Sequence, residues 1–210
     1  MIRWDVLRRS SLRSWINRAG ASVGADTAGA QLVEFAVTLP LLVVFVVGIF
    51  DFSSAFTLKQ KLTNVARDAA RTAAADPVND LQSSSPKSVN DAFQVVDSYL
   101  LANHLNDCGI TISSSPAGLT WTSTATGNGC PTGGLKLIIN RGYYFPATGA
   151  ALPSVNCTSQ SAGAQTAIIG TCVSIQYAYA WRFGQVASLL GRNATLPNTI
   201  STVAVAMNEN

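Results

Sequence analysis

From Phe35 to Phe50 the chain reads FAVTLPLLVVFVVGIF, sixteen residues without a charge. Extended to Leu32–Phe56, the segment admits only Glu34 near one end and Asp51 near the other. About 20 helical residues, rising 1.5 Å each, cross about 30 Å of hydrocarbon. The segment is therefore long enough to span a bilayer over about residues 32–56, with its two acids near the two faces.

The charge around this run gives it a direction. Residues 1–29 hold Arg3, Arg8, Arg9, Arg13 and Arg18 against Asp5 and Asp26, while nine basic residues balance nine acidic ones in the rest. The whole net charge of +3 thus precedes the run. The positive-inside rule then puts residues 1–29 in the cytoplasm and the C-terminal part outside, on a single-pass anchor. A nucleic-acid partner is not expected, because a phosphate-tracking surface spreads Lys and Arg over a folded domain. Charged residues make up 12% of the chain, about half the usual share. That excludes a disordered regulator and a coiled-coil rod.

The apolar run leads into SSAFTLKQKLTNVARDAARTAAA (53–75), which lacks Gly and Pro. Leu58, Leu62, Val65, Ala69 and Ala73 recur at helical spacing, with Lys59, Lys61, Arg67, Asp68 and Arg71 on other faces. One helix is expected from about 30 to 75, roughly 70 Å at 1.5 Å per residue. Pro77 stops it. After a polar linker, 76–87, Ser85-Pro86 reads as an N-cap followed by proline at the first helical position. Val89, Phe93, Val96 and Leu100 then give a short amphipathic helix to about residue 102.

From Cys108 the texture turns to Gly, Ser and Thr with short apolar runs. Strands are expected at 109–113, 119–123, 135–145, 166–184 and 199–207. In the fourth, Val173, Ile175, Tyr177, Tyr179, Trp181 and Phe183 alternate with Ser174, Gln176, Ala178, Ala180 and Arg182, the pattern of a half-buried antiparallel strand. The fold class is α+β: a long N-terminal helix, then a small antiparallel β-rich domain over 77–210 with one or two short helices.

Cys108, Cys130, Cys157 and Cys172 include no C-x-x-C pair, and His104 is the only histidine. Metal sites usually need closer ligand pairs, so no metal or other cofactor is expected. Four cysteines in a loop-rich segment read as two disulfides in an oxidising compartment, in agreement with the topology. Of three pairings, Cys108–Cys130 and Cys157–Cys172 close the shortest loops and are favoured.

At the head of the apolar run stand Gly29, Ala30, Gln31, Leu32, Val33, Glu34, Phe35 and Ala36. A glycine, four residues, then an acid and an aromatic opening an apolar helix resembles a type IV prepilin processing site. The resemblance implies a leader at 1–29, cut after Gly29 by a prepilin peptidase, and a mature chain starting at Ala30. It also implies that Glu34 pairs with the new N-terminus of a neighbouring pilin subunit during assembly. A carboxylate in an inserting helix costs about 2.5–3.5 kcal/mol at the bilayer centre and less near an interface. Glu34 is thus either partnered or resting among headgroups. Pro40 removes one backbone hydrogen bond from the span, as a flexible point during extraction from the bilayer or as a passive kink.

The longer run GAQLVEFAVTLPLLVVFVVGIFDFSSAFTLKQKLTNVARDAARTAA resembles the TadE-like family, pseudopilins of the tight-adherence pilus system. Glu34, Phe35 and Ala36, the Leu39-Pro40 pair, Gly48, Asp51-Phe52 and the Ala/Arg-rich helix around Asn64–Arg71 carry the likeness. The aromatic strand, Leu189-Leu190-Gly191 and the last strand are similar more loosely; residues 77–170 are not covered. Asp51 stands where glutamate is common in the family, and the four cysteines are a second departure.

Three classes of function compete. The resemblance implies a non-enzymatic pilus or secretion component whose partners are the membrane, other pilin or pseudopilin subunits and a prepilin peptidase. A secreted binding or adhesin domain is the alternative, since Ser53-Ser54-Ala55 before Phe56 satisfies the small-x-small rule of signal peptidase. An enzyme is not expected, nor is a small-molecule substrate. His104 is isolated, and Asp80, Asp91, Asp97 and Asp107 follow no spacing that nucleophile–base chemistry uses.

Overall fold

The computed structural model describes residues 27–112, 116–127, 129–145, 153–158, 168–182 and 196–209. Helix α1 runs Thr27–Ala75 and passes through Pro40. It begins slightly before the expected start, so Gly29 and Ala30 lie inside its first turn. The chain divides into two compact units, Met1–Gly48 and Ile49–Asn210, with the division inside α1.

In the first unit the described part of α1 exposes Leu32, Val33, Phe35, Val37, Leu42 and Phe45, among others, on every face. A helix apolar all round needs an apolar surrounding. Residues Gly29–Ala75 form a helix long and apolar enough to cross a membrane.

In the second unit α1 becomes one-sided. Leu58, Leu62, Val65, Ala66, Ala69 and Ala73 are buried in one core cluster, the three- and four-residue spacing of a single helix face. Helix α2, Lys87–Ala102, adds Val89, Ala92, Val96 and Leu100. Its start corrects the expected cap. Pro86, not Ser85, is the N-cap, in an extended conformation, and no side chain of its own caps the helix. The Lys87 N–H donates instead to Asp80 Oδ2 at 2.6 Å, a carboxylate at a helix N-terminus. Ser85 turns its hydroxyl to Asn90.

The C-terminus of α2 closes with two crossed bonds. The His104 N–H donates to the Leu101 carbonyl at 3.1 Å and the Leu105 N–H to that of Leu100 at 2.9 Å. This is the Schellman arrangement, and it puts His104 at φ 54, where glycine is normally found. His104→Gly is therefore expected to raise stability by about 0.5–1 kcal/mol, read as a higher urea midpoint at unchanged slope; an unchanged midpoint would refute it.

Strands β1 (Thr120–Ala125), β2 (Leu135–Phe145), β3 (Ile168–Ala178) and β4 (Thr199–Met207) form one antiparallel sheet in sequence order. Trp121, Leu137, Ile139, Val173, Ile175 and Ala204 join the α1 and α2 core. The expected strand at 109–113 is absent over its described residues, 109–112; Cys108 and Gly109 both take positive φ there. The expected strand 166–184 is shorter. Its pairing with β4 starts at Ala178↔Thr199, and residues 179–182 are not strand. Residues 166–167 and 183–184, with Phe183, lie outside the described residues, as do Leu189-Leu190-Gly191.

β3 is also buried on both sides rather than one. On its second face Cys172 packs with Ile138, Tyr143 and Cys157. Residues 153–158 cover that face, with the Val155 carbonyl accepting from Ser174 Oγ at 2.5 Å and Gln176 Nε2 at 3.0 Å. The disulfides are Cys108–Cys130 and Cys157–Cys172, with Cα separations of 5.3 and 5.7 Å.

Candidate membrane and assembly site

The residues singled out at the chain's start share the first turns of α1. Gly29 is helical, exposed, and has open space where a Cβ would stand. Glycine in a helix costs about 0.5–1 kcal/mol against alanine, and no packing requirement offsets that cost here. Glu34 lies one helical turn beyond Ala30, so the two share a face. Its side chain is exposed and has no hydrogen-bond or ion-pair partner among the described residues. Phe35 is exposed beside it. Thr38, between Glu34 and Pro40, returns its hydroxyl to the Glu34 carbonyl at 2.9 Å.

Asp51, at the far end of the apolar run, is treated differently. It is buried, and the Tyr179 hydroxyl donates to its Oδ1 at 3.0 Å and approaches its backbone carbonyl at 3.1 Å. Burial, then the neighbouring Asp51, raise the Tyr179 phenol above its usual pKa, so it stays protonated as the donor. Next to this pair, the Phe52 and Trp181 rings lie 5.1 Å apart, and Tyr179 meets Trp181 edge-on at 4.9 Å. Sequence reading named all four residues without joining them. The available signal was that Tyr179 and Trp181 continue the strand's alternation past its pairing.

The other acids have local duties. Asp80 caps α2, Asp91 pairs with Lys87, and Asp107 Oδ1 accepts from the Gly109 N–H at 3.2 Å. Burial, with Asp107 nearby, raises the Asp97 carboxyl above its usual range. His104 is exposed at the end of α2. Among the described residues no group of three or more His, Cys, Asp or Glu could hold a metal ion.

Residues 29–71 match the model of the TadE-like protein family. This TadE-like segment contains Gly29, Glu34, Pro40 and Asp51, and it ends before the sheet and both disulfides. No curated protein and no solved structure matches the chain.

Proposed function

We propose that the chain is a pseudopilin-type structural component of a Tad-type pilus or secretion system, working by association rather than catalysis. Its apolar helix anchors it in the inner membrane, with the Arg-rich leader in the cytoplasm and the disulfide-bonded domain outside. A prepilin peptidase cuts after Gly29, and the apolar halves of neighbouring subunits then pack together. The observation that carries this reading is Gly29 itself: a helical glycine that packing does not require, opening a TadE-like helix.

The exposed, unpartnered Glu34 supports the reading, because cleavage creates a positive α-amine on Ala30 of a neighbouring subunit. Release at Ala55-Phe56 is disfavoured. That bond lies within α1, Ala55 is buried, and the Ser54 hydroxyl bonds back to the Phe50 carbonyl at 2.9 Å.

Two substitutions separate the roles. Gly29→Phe is expected to retain the leader and abolish incorporation into pili. Glu34→Leu is expected to leave the mature size unchanged while incorporation is lost, since removing the charge only eases membrane insertion. Full-length and mature forms are distinguished on immunoblots of membrane and sheared-pilus fractions. Normal processing and incorporation of the Gly29→Phe protein would sink the proposal.

A further inference from the structure

We infer that Phe52, Phe56 and Trp181, with Arg182 beside them, seat the folded domain in the lipid headgroup layer at the outer end of the span. The inference rests on the membrane reading of α1 and adds a second contact, made by the domain itself. All four residues belong to one compact body, Ile49–Asn210.

The first observation is where the exposed surface of α1 changes character. Phe50, Phe52 and Phe56 are 70%, 53% and 64% exposed. Beyond Phe56 the exposed positions become Lys59, Gln60, Asn64, Arg67 and Asp68. The apolar-to-polar boundary therefore falls within the turn after Phe56.

The second observation is that the domain returns to α1 on the apolar side of this boundary. Trp181 lies against Phe52, one turn before Phe56. Its indole N–H is bonded to the Pro197 carbonyl at 2.6 Å, and the Tyr179 hydroxyl to Asp51. Both polar tips are thus hydrogen-bonded within the domain, so neither needs a water partner. Asp51 is enclosed at the same level, which spares a carboxylate from lipid. Arg182, next in sequence, is exposed.

A half-buried tryptophan on Phe52, with Arg182 beside it and Lys59 and Lys61 about two turns farther along the helix, the Lys59 ammonium also donating to the Ser201 carbonyl, matches the chemistry of the headgroup layer. Indole rings favour that depth, and cations favour anionic phosphates just above it. A protein partner would cover the rings equally well, but nothing would then require them to stand at the level where the helix turns polar.

The test uses the unmodified full-length chain in vesicles of phosphatidylethanolamine and phosphatidylglycerol. These contain lipid with a diazirine either near the headgroup or at the acyl-chain end. Adducts are mapped by mass spectrometry after flotation. The headgroup-proximal probe should label Phe52, Phe56 and Trp181, with labelling of Trp181 lost for the chain-end probe. Trp121, enclosed in the core with its indole N–H on the Ser84 carbonyl, should stay unlabelled. Labelling confined to 29–50, or Trp181 labelled only by the chain-end probe, would overturn this inference and leave the membrane anchor standing. A protein that does not float with the vesicles would overturn both.

Discussion

Arg141→Ala should lower the unfolding free energy by about 3–5 kcal/mol, because it removes three buried hydrogen bonds from a charged donor, each worth about 1.5–3 kcal/mol and not fully additive. Arg141 is fully buried at the bulge in β2, where the β2–β3 pairing shifts between Asn140 and Tyr143. Its guanidinium donates from Nη1 to Thr171 Oγ1 at 2.6 Å and to Asn208 Oδ1 at 3.1 Å, and from Nη2 to the Asp76 carbonyl at 3.0 Å. One side chain thus ties the end of α1 to β2, β3 and the residue after β4. Burial lowers its pKa, opposed by Asp76 and Asp80, yet an arginine keeps its charge. Truncation would take a charged donor from the Asp76 carbonyl and Thr171 Oγ1, leaving Asn208 Oδ1 only the Thr171 hydroxyl at 2.7 Å, and would leave a cavity. The expected drop in Tm, about 10 °C for a chain of this size, is read by circular dichroism in detergent. A Tm within about 2 °C of the parent would contradict this account of the network. Arg141→Lys should recover only part of the loss, since an ammonium cannot span the fork.

Gly134→Ala is the second large effect. Gly134 precedes β2 at φ +64, and a Cβ there would stand 2.0 Å from the Ala125 carbonyl oxygen. That oxygen belongs to β1, held in register by Ala125↔Leu135, so neither side can yield cheaply. A left-handed conformation costs an L-residue about 1–2 kcal/mol, and overpacking adds about 1–3 kcal/mol. Gly118→Ala is the matched control: φ is +61, but nothing lies within 4 Å of the new Cβ. The Gly134 variant should therefore lose clearly more stability than the Gly118 variant in parallel urea melts. Equal losses would mean that β1 moves aside freely.

Helix α1 was legible because one periodic pattern runs unbroken from the apolar segment to Ala75, and Pro77 ends it on local chemistry alone. β2 was legible from its aliphatic and aromatic residues and β4 from its β-branched ones. β3 was read too long for a specific reason. Alternation encodes which side chains face the helix, and Tyr179 and Trp181 do face it, by way of Asp51 and Phe52. Whether the backbone pairs depends on a neighbour, and the ladder with β4 ends at Ala178↔Thr199, with one further bond from the Tyr179 N–H to the Asn198 carbonyl at 2.9 Å. The covered second face of β3 was hidden because residues 153–158 form no regular element; only Cys157, half of a disulfide, marked them. The cap of α2 escaped because Asp80 reaches it from seven residues upstream, beyond any local capping pattern.

At the candidate site the residues singled out from the sequence are ones that packing within the chain does not explain. Gly29, Ala30, Glu34, Phe35 and Pro40 sit on an exposed helix, so their pattern answers to whatever surrounds that helix. Asp51 is the converse. Its partner is Tyr179, 128 positions away, and a single chain read linearly shows only an acid at the end of an apolar run.

The N-terminal residue of the native, membrane-associated protein tests the central claim most directly, by peptide mass mapping from isolated membranes. The account predicts a chain that begins at Ala30, with Glu34 as its fifth residue. A chain beginning at Phe56 or still at Met1 would contradict it. The first would make the folded domain a secreted product, and the second would leave a membrane anchor that no prepilin peptidase has touched.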